Sequence, residues 1–278
     1  MSQTTSSPSL PTIAFIGGGN MASAIMGGLI RQGHAASDIE VVEPYEPTRA
    51  GLLHSYGITA QESPTAALRR AQIVVWAVKP QTFKEAAAAT RAHTGDALHL
   101  SVAAGIRSDS IAKWLGSERI VRSMPNTPAL VGKGMTALYA RPAVSAAERH
   151  SVQAIIASTG EFLWVDAERQ LDAVTALSGS GPAYVFYFLE AMTRAGVGMG
   201  LSEQQAHQLA VGTFVGASEL ARRSDEPPAL LRQRVTSKGG TTFAAITSLE
   251  HDAVGEAFVR AMQAAERRAL ELGDEFGS

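Results

Sequence analysis

Residues 12–22 are Thr12-Ile13-Ala14-Phe15-Ile16-Gly17-Gly18-Gly19-Asn20-Met21-Ala22. The compact apolar run predicts a buried strand, the glycines predict a tight turn, and residues 21–32 can form a helix. Gly17, Gly19 and Ala22 fit the pattern G-x-G-x-x-A, in which the small residues permit the turn, let a pyrophosphate approach the backbone and bring the helix close to the sheet. Because amides at a helix N-terminus bind phosphate, the segment indicates a dinucleotide site.

The first half of the chain continues to alternate short apolar runs with helical stretches. The apolar runs are continuous, as expected for strands with helices on both faces of the sheet. This rhythm predicts a doubly wound, Rossmann-like α/β domain over residues 11–168. The predicted strands are 12–16, 39–42, 73–78, 98–103, 119–123, 135–139 and 161–165, and helices are predicted at 21–32, 82–91, 108–115 and 145–158.

From about residue 169 the pattern becomes helical throughout, which predicts an all-helical domain over 169–278. Ser202 with Gln205, Asp252 with Glu256 and the pair Pro227-Pro228 are helix-start signals. Residues 209–217 contain only apolar, Gly and Thr residues, and a helix that is apolar on all sides is buried. We infer that a partner subunit supplies part of the cover, the alternative being an ordinary monomeric core. The predicted helices are 183–195, 202–223, 228–235, 242–250 and 253–272.

Composition excludes several classes of function. The chain has 278 residues, a formal net charge of -2 and no cysteine, so disulfides, thiolate catalysis and Cys-ligated zinc are excluded. A charge this small gives no general attraction to nucleic acid or to anionic membranes. Residues 1–10 lack the features of a signal peptide and predict a flexible tail. We expect a soluble, cytoplasmic protein.

The seven histidines show no metal-ligand spacing and lie outside the segments that carry chemistry, so no metal is expected. A Gly-x-Ser-x-Gly elbow is absent from the sequence, which argues against a triad hydrolase. The histidines are His34, His54, His93, His99, His150, His207 and His251.

Glu43 follows the second predicted strand, where an acid accepts hydrogen bonds from ribose hydroxyls. Such an acid favours NADH and repels a 2′-phosphate, whereas the nearby Arg49 partly reverses that preference. The alternative is a solvated acid at a strand end, so both NADPH and NADH stay open as cofactors.

Later loops complete the predicted cofactor groove, because ligands bind beyond the carboxyl ends of the strands in open α/β sheets. Lys79 faces either a phosphate, a ribose hydroxyl or solvent. Asn126, between two prolines, either fixes an amide near a nicotinamide or substrate or belongs to a plain turn. The predicted cofactor-binding residues are Ile16, Gly17, Gly19, Asn20, Met21, Ala22, Glu43, Ala77, Val78, Lys79, Pro80, Ala103, Ala104, Gly105 and Asn126.

Two glycine-rich segments fall in the second domain. Residues 237–242 are Ser-Lys-Gly-Gly-Thr-Thr at a helix start, which suits a small carboxylate held by backbone N–H groups. A glycine-rich N-cap without a ligand is the alternative. Residues 178–182 are Ser-Gly-Ser-Gly-Pro, which either admit a ligand or neighbouring subunit or form a capping loop.

Five segments in this order resemble the pyrroline-5-carboxylate reductase family, and the resemblance runs from Ile13 to about Leu272. The segments are Gly-Gly-Gly-Asn-Met-Ala at 17–22, Val-Lys-Pro-Gln at 78–81, Arg-Ser-Met-Pro-Asn-Thr-Pro at 122–128, Asp-Ala-Val-Thr-Ala-Leu-Ser-Gly-Ser-Gly-Pro-Ala-Tyr at 172–184 and Ser-Lys-Gly-Gly-Thr-Thr at 237–242.

The resemblance implies reduction of the cyclic imine of 1-pyrroline-5-carboxylate to L-proline by NADPH or NADH. It implies an intertwined helical homodimer, often assembled further into rings. It also implies that Thr242 is the catalytic residue, as a hydrogen-bond donor to the ring nitrogen. Lys238 departs from the family, in which many members carry proline. The implied substrate-binding residues are Ser237, Gly239, Gly240, Thr241 and Thr242.

Two alternatives remain at this point. A β-hydroxyacid dehydrogenase shares the domain order but uses a lysine on an early helix of the second domain, and no lysine lies between Lys133 and Lys238. A non-catalytic sensor would bind the dinucleotide without turning it over. The pair Thr241-Thr242 argues against a sensor, which does not need the imine contact.

Overall fold

The computed structural model describes residues 11–277, and the predicted tail at 1–10 lies outside the described residues. The chain forms two compact units. The first comprises the described residues up to Ser180 and those from Ala265 onward, and the second is Gly181–Ala264. The division predicted after residue 168 marks where the sequence becomes helical, whereas the compact units divide at Ser180.

A seven-stranded sheet forms the centre of the first unit, in the order β2-β1-β3-β4-β5-β6-β7. Strands β1 to β5 are parallel, β6 is antiparallel to β5, and β7 is parallel to β6. All seven predicted strands are confirmed, with ends that shift by at most two residues. The strands are β1 (Ile13–Ile16), β2 (Ile39–Val42), β3 (Ile73–Trp76), β4 (Leu98–Ser101), β5 (Ile120–Met124), β6 (Gly134–Ala140) and β7 (Gly160–Trp164).

The strand order creates a switch point at β1, which pairs with β2 on one side and with β3 on the other. From β1 the chain crosses to β2 and then returns past β1 to β3, so the loops that follow β1 and β3 diverge. In such sheets ligands bind in the crevice between these loops. The doubly wound, Rossmann-like class is thereby confirmed.

Helices cover the sheet on both faces and create two apolar layers. Phe15 and Val75 pack with Ile25 on one face, and Trp76 packs with Phe83 on the other. Burial of each such large side chain contributes about 1.5–3 kcal/mol. The helices of this unit are α1 (Asn20–Arg31), α2 (Glu46–Tyr56), α3 (Pro80–Thr94), α4 (Ser108–Leu115), α5 (Ala146–Ala157) and α6 (Gln170–Val174).

The sequence prediction expects helical stretches between the strands but gives no bounds for α2. Only Leu52 is buried among its residues, and Pro47 and Gly51 weaken the helical pattern. The helix begins with Pro47 in its first turn and ends at Gly57, whose φ of 69° suits only glycine well. Its periodicity is therefore too weak to detect, although its two ends carry ordinary signals.

All the regular elements in the described residues of the second unit are helices. The predicted capping box is confirmed, because Ser202 Oγ accepts from the Gln205 amide while Gln205 Oε1 accepts from the Ser202 amide. The start predicted at Asp252 is wrong, since the last helix begins at Val254 after Ala253, whose φ is 51°. The helices are α7 (Gly181–Gly198), α8 (Glu203–Arg223), α9 (Pro228–Arg234), α10 (Thr241–His251) and α11 (Val254–Phe276), of which the last continues into the first unit.

Apolar side chains of the second unit are exposed in the single chain. Tyr187 is 68% exposed, Met199 78% and Val215 66%. Exposed apolar surface on this scale marks an interaction site. The finding agrees with the expectation that α8 needs cover from outside the chain. Within the described residues, none of the helices is long and apolar enough to cross a membrane.

Candidate active site

The glycine turn after β1 is shaped by its neighbour at the end of β3. Gly17 has a φ of 96°, and an added Cβ would lie 2.6 Å from the carbonyl oxygen of Ala77. The Ala77 amide in turn donates to the carbonyl of Ile16 at 2.8 Å. Only glycine satisfies both the backbone angle and the approach. Two of the predicted cofactor loops therefore touch at the switch point.

The N-terminus of α1 is open to a ligand. Gly19 is its N-cap and makes no side-chain capping bond, and an added Cβ there would meet nothing within 4 Å. The first amides of the helix therefore keep their hydrogen-bonding capacity. Ala22 is fully buried and lets α1 lie close to the sheet. Free amides beside open space fit a pyrophosphate, which is the group that the motif predicts.

Glu43 is held at the edge of this turn. Its Oε2 accepts from the Gly18 amide and its Oε1 from the Tyr45 amide, both at 2.8 Å. Arg49 donates through Nη1 to the carbonyls of Glu43 at 3.0 Å and Pro44 at 2.5 Å. The carboxylate and the guanidinium thus occupy the same turn after β2, where the adenosine ribose of a dinucleotide binds in this fold.

The loops after β3 and β4 start at the same edge of the sheet, because Trp76 pairs with Ser101 in register. Lys79 is exposed, and its carbonyl caps α3 by accepting from the amide of Thr82 at 3.0 Å. Gly105 has a φ of 73° and packs closely against Leu272. The other predicted residues of these loops are the buried Ala103 and the half-buried Ala77, Val78, Pro80 and Ala104.

The residues of the first turn differ in what they expose. The Ile16 side chain is 2% exposed and lies in the core, so this residue offers its backbone to a ligand. Asn20 is exposed and Met21 half-buried.

Asn126 has protein partners for both ends of its side-chain amide. Its Oδ1 accepts from the Met135 amide at 2.9 Å, and its Nδ2 donates to the Ser178 carbonyl at 3.0 Å. The side chain is half-buried. The amide therefore joins the loop after β5 to β6 and to the segment that precedes α7.

A charged cluster near β5 was missed from the sequence. Arg122, 8% exposed, donates to Glu168 Oε1 at 2.6 Å, and Ser108 donates to both oxygens of the same carboxylate. Burial raises the pKa of nearby Asp172, while Arg122 and Arg107 oppose that rise. The available signal was an arginine within an apolar strand, which needs a buried partner.

The glycine segment of the second unit forms a tight turn before α10. Gly239 has a φ of 74°, and an added Cβ at Gly240 would lie 2.7 Å from Ser237 Oγ. The Gly240 amide donates to the Ser237 carbonyl at 3.0 Å, and Gly240 caps α10 without a side-chain bond. Thr241 is exposed and Thr242 half-buried at the helix start. Lys238 is exposed beside this turn.

His99 is the histidine with the clearest structural role. Its Nδ1 accepts from Trp76 Nε1 at 3.2 Å, and burial together with nearby Arg119 lowers its pKa to about 4. It is therefore neutral at pH 7. Among the described residues, no group of three or more histidine and carboxylate side chains could hold a metal ion.

Comparison with known proteins assigns the family. Residues 168–272 match the family model for pyrroline-5-carboxylate reductase dimerisation, and residues 12–105 match that of NADP oxidoreductase, coenzyme F420-dependent. The chain is 44% identical to the pyrroline-5-carboxylate reductase of Pseudomonas aeruginosa, over 97% of this chain and 99% of that relative. The chain belongs to the pyrroline-5-carboxylate reductase family. The reductase of Haemophilus influenzae is 40% identical over 94% of this chain and 97% of its own.

Solved structures of pyrroline-5-carboxylate reductases have the same fold. That of Coxiella burnetii superposes with a TM-score of 0.86 at 37% identity and covers 95% of this chain and 98% of its own. The Plasmodium falciparum enzyme, solved with NADP bound, has a TM-score of 0.85 at 28% identity, with 95% and 99% covered. Prephenate dehydrogenase of A. aeolicus, with a TM-score of 0.53 at 12% identity, shares the fold alone.

Membership of the pyrroline-5-carboxylate reductase family confirms the resemblance seen in the sequence. It also removes one of the two alternatives. The full-length relatives are reductases, so the dehydrogenase alternative loses its basis, and a nicotinamide dinucleotide is the cofactor. Self-association follows from the match of residues 168–272 to a dimerisation model.

Proposed function

We propose that this chain reduces 1-pyrroline-5-carboxylate to L-proline with NADPH or NADH, the last step of proline biosynthesis. The observation that carries the proposal is the 44% identity to a pyrroline-5-carboxylate reductase over 97% of the chain. The geometry agrees with it, because the open N-terminus of α1 and the turn at Gly17 fit a dinucleotide.

In this proposal the edge of the sheet holds the cofactor. The amides that follow Gly19 bind the pyrophosphate, and the turn with Glu43 and Arg49 meets the adenosine ribose. Lys79 adds a cation at the same edge. The loops at Ala77–Pro80 and Ala103–Gly105 line the groove, with Asn126 next along the sheet.

The turn before α10 holds the substrate in the same proposal. Amides at the start of α10 and the hydroxyls of Ser237 and Thr241 bind the carboxylate, which needs no arginine. Thr242 donates a hydrogen bond to the ring nitrogen and fixes the imine. A bound NADPH or NADH supplies the hydride for the imine carbon, and the nitrogen takes up one proton to give the amine. A threonine hydroxyl is a weak acid at neutral pH, so Thr242 orients the nitrogen or relays a proton.

The assembly belongs to the proposal as well. The exposed apolar side chains of α7 and α8 suit a homodimer in which the second copy covers them. Assembly of such dimers into a ring, and a cytoplasmic location, are further parts of what the family resemblance and the composition predict.

The test is to follow NADPH and NADH absorbance separately with racemic pyrroline-5-carboxylate. A six-membered cyclic imine acid with the reduced cofactors, and a 3-hydroxy acid with NADP+ and NAD+, are the controls. We expect rapid oxidation of the reduced cofactor with the five-membered imine and no reduction of NADP+ or NAD+ by the 3-hydroxy acid. Cofactor binding without turnover of any substrate would contradict the proposal and favour a sensor.

A further inference from the structure

The segment between α6 and α7 contains one turn of π-helix at Thr175–Gly179. The Ser180 amide donates to the Thr175 carbonyl at 2.8 Å, which is the i→i+5 bond of a π-helix. Single π-turns inserted in α-helices occur frequently at functional sites. We therefore ask which residues make the helix change to a π-turn at this point.

Pro182 supplies part of the cause. In a regular α-helix the amide of residue 182 would donate to the carbonyl of Ser178, but proline has no amide hydrogen and its ring would crowd that carbonyl. The π-turn removes the crowding. It leaves a polar carbonyl that still requires a donor.

Asn126 is that donor. Its Nδ2 reaches the Ser178 carbonyl at 3.0 Å, while its Oδ1 accepts from the Met135 amide at 2.9 Å. The two bonds fix the orientation of the amide, because an exchange of its oxygen and nitrogen would break both. The side chain therefore replaces the hydrogen bond that Pro182 lacks.

A packing contact holds the same two segments together. An added Cβ at Gly179 would clash with Met124 Cε, so the two residues are in close contact and the methionine side chain would have to move to admit one. Met124 ends β5, so the π-turn lies against the carboxyl end of a parallel strand. Ligands bind at this edge in open α/β sheets.

We propose that Asn126 is a positioning residue of the reductase reaction, which holds the π-turn at 175–180 against the end of β5. In this role it acts through the π-turn and does not bind the nicotinamide carboxamide itself. The inference rests on the proposed function, because the turn matters for catalysis only if this edge binds the cofactor.

The experiment uses the full-length enzyme and four variants, Asn126→Ala, Asn126→Asp, Pro182→Ala and the double variant Asn126→Ala with Pro182→Ala. Turnover of pyrroline-5-carboxylate, the Kd of NADPH by calorimetry and the thermal unfolding midpoint are measured for each. Asn126→Asp is nearly isosteric and keeps the acceptor for Met135, but it does not donate to Ser178. It serves as the second test if Asn126→Ala folds poorly.

We expect kcat to fall about 10–100-fold in Asn126→Ala and Asn126→Asp, as for the loss of one well-placed hydrogen bond. The Kd of NADPH should change less than about twofold, because no cofactor contact is lost. Pro182→Ala alone should keep most of the activity, since Asn126 still holds the turn. In the double variant the backbone at position 182 regains an amide that can donate to Ser178, so the unfolding midpoint recovers. Its kcat stays low, because a regular helical turn replaces the π-turn.

Two results would overturn the inference in an enzyme that is otherwise active. A rise in the Kd of NADPH as large as the fall in kcat would make Asn126 a direct cofactor ligand. Recovery of kcat together with the midpoint in the double variant would leave Asn126 a purely structural role. Failure of the unaltered enzyme to reduce pyrroline-5-carboxylate would instead overturn the proposed function, and the inference with it.

Discussion

The Glu43 carboxylate accepts a hydrogen bond of 2.8 Å from the backbone amide of Gly18, across 25 residues of sequence. Glu43, which we expect to bind the ribose, thus also holds the glycine turn in place through this hydrogen bond. Arg49 donates hydrogen bonds to the backbone carbonyls of Glu43 and Pro44 beside the same turn. A negative and a positive group therefore lie in the same turn, where we propose that the ribose of the cofactor binds.

Glu43→Gln should raise the ratio of kcat/KM with NADPH to kcat/KM with NADH by about 10-fold, equivalent to about 1.4 kcal/mol. Glutamine keeps an acceptor for Gly18 but removes the charge that repels a 2′-phosphate. Steady-state kinetics with both cofactors measure the ratio. Glu46→Gln, which removes a charge from the exposed start of α2, is the control and should leave the ratio unchanged. An unchanged ratio in Glu43→Gln would place Glu43 away from the ribose.

Gly17→Ala should weaken cofactor binding and destabilise the first unit. The substitution combines a positive φ, costing about 1–2 kcal/mol, with a clash against the Ala77 carbonyl that adds about 1–3 kcal/mol. Urea unfolding and the Kd of NADPH report the two effects. Gly33→Ala is a matched control, because Gly33 has a φ of 93° but an added Cβ meets nothing within 4 Å. Equal destabilisation by both variants would show that the contact with the Ala77 carbonyl adds nothing to the cost of the positive φ.

Thr242→Ala should lower kcat/KM for the imine by about 10–100-fold, as for one hydrogen bond of about 1.5–3 kcal/mol to a charged or reacting group. Thr242→Ser keeps the hydroxyl and should retain most of the activity. Stopped-flow or steady-state oxidation of NADPH measures the loss. Full activity in Thr242→Ala would remove Thr242 from the mechanism.

The sequence predicts the sheet well because each strand is a short, continuous apolar run between loops. Predicted strand ends fall late at β3 and β4, since Ala77 and Val102 are apolar but belong to the loops that leave the sheet. The glycine turns are also predictable, because a positive φ at Gly17 and Gly239 selects glycine at that position.

Pairings between distant residues are not predictable from local pattern. Arg122 meets Glu168 at a separation of 46 residues, and Asn126 meets Ser178 at a separation of 52. The sequence indicates that a buried arginine or amide needs a partner, but only the folded chain selects which one. For that reason Asn126 could be named as a candidate from the sequence, while its two partners were unknown.

The stability of the protein should fall on acidification from pH 6.5 to about pH 4 because of His99. Its pKa is lowered to about 4 in the folded state from an ordinary 6.5, mainly by burial. Between these values the unfolded chain binds a proton that the folded chain does not, so stability is present above pH 6.5 and is lost as the pH falls. At 1.36 kcal/mol per pKa unit the loss is at most about 3 kcal/mol. His99→Gln keeps an acceptor for Trp76 and should flatten this part of the urea-unfolding profile, whereas exposed His150→Gln should not. Parallel profiles for all three proteins would show that His99 does not titrate on unfolding.

Self-association should depend on the apolar face of α8. Val215 is 66% exposed in the single chain, so a charge there costs little in an isolated subunit but cannot be buried in an interface without a partner. Val215→Glu should therefore shift the protein toward monomer in sedimentation velocity and lower activity with it. The control is Gln72→Glu, which adds the same charge to an exposed polar position of the first unit and should leave the assembly intact. A Val215→Glu protein that sediments like the unaltered chain would place the interface elsewhere. If both variants dissociate equally, net charge and not the apolar face governs assembly.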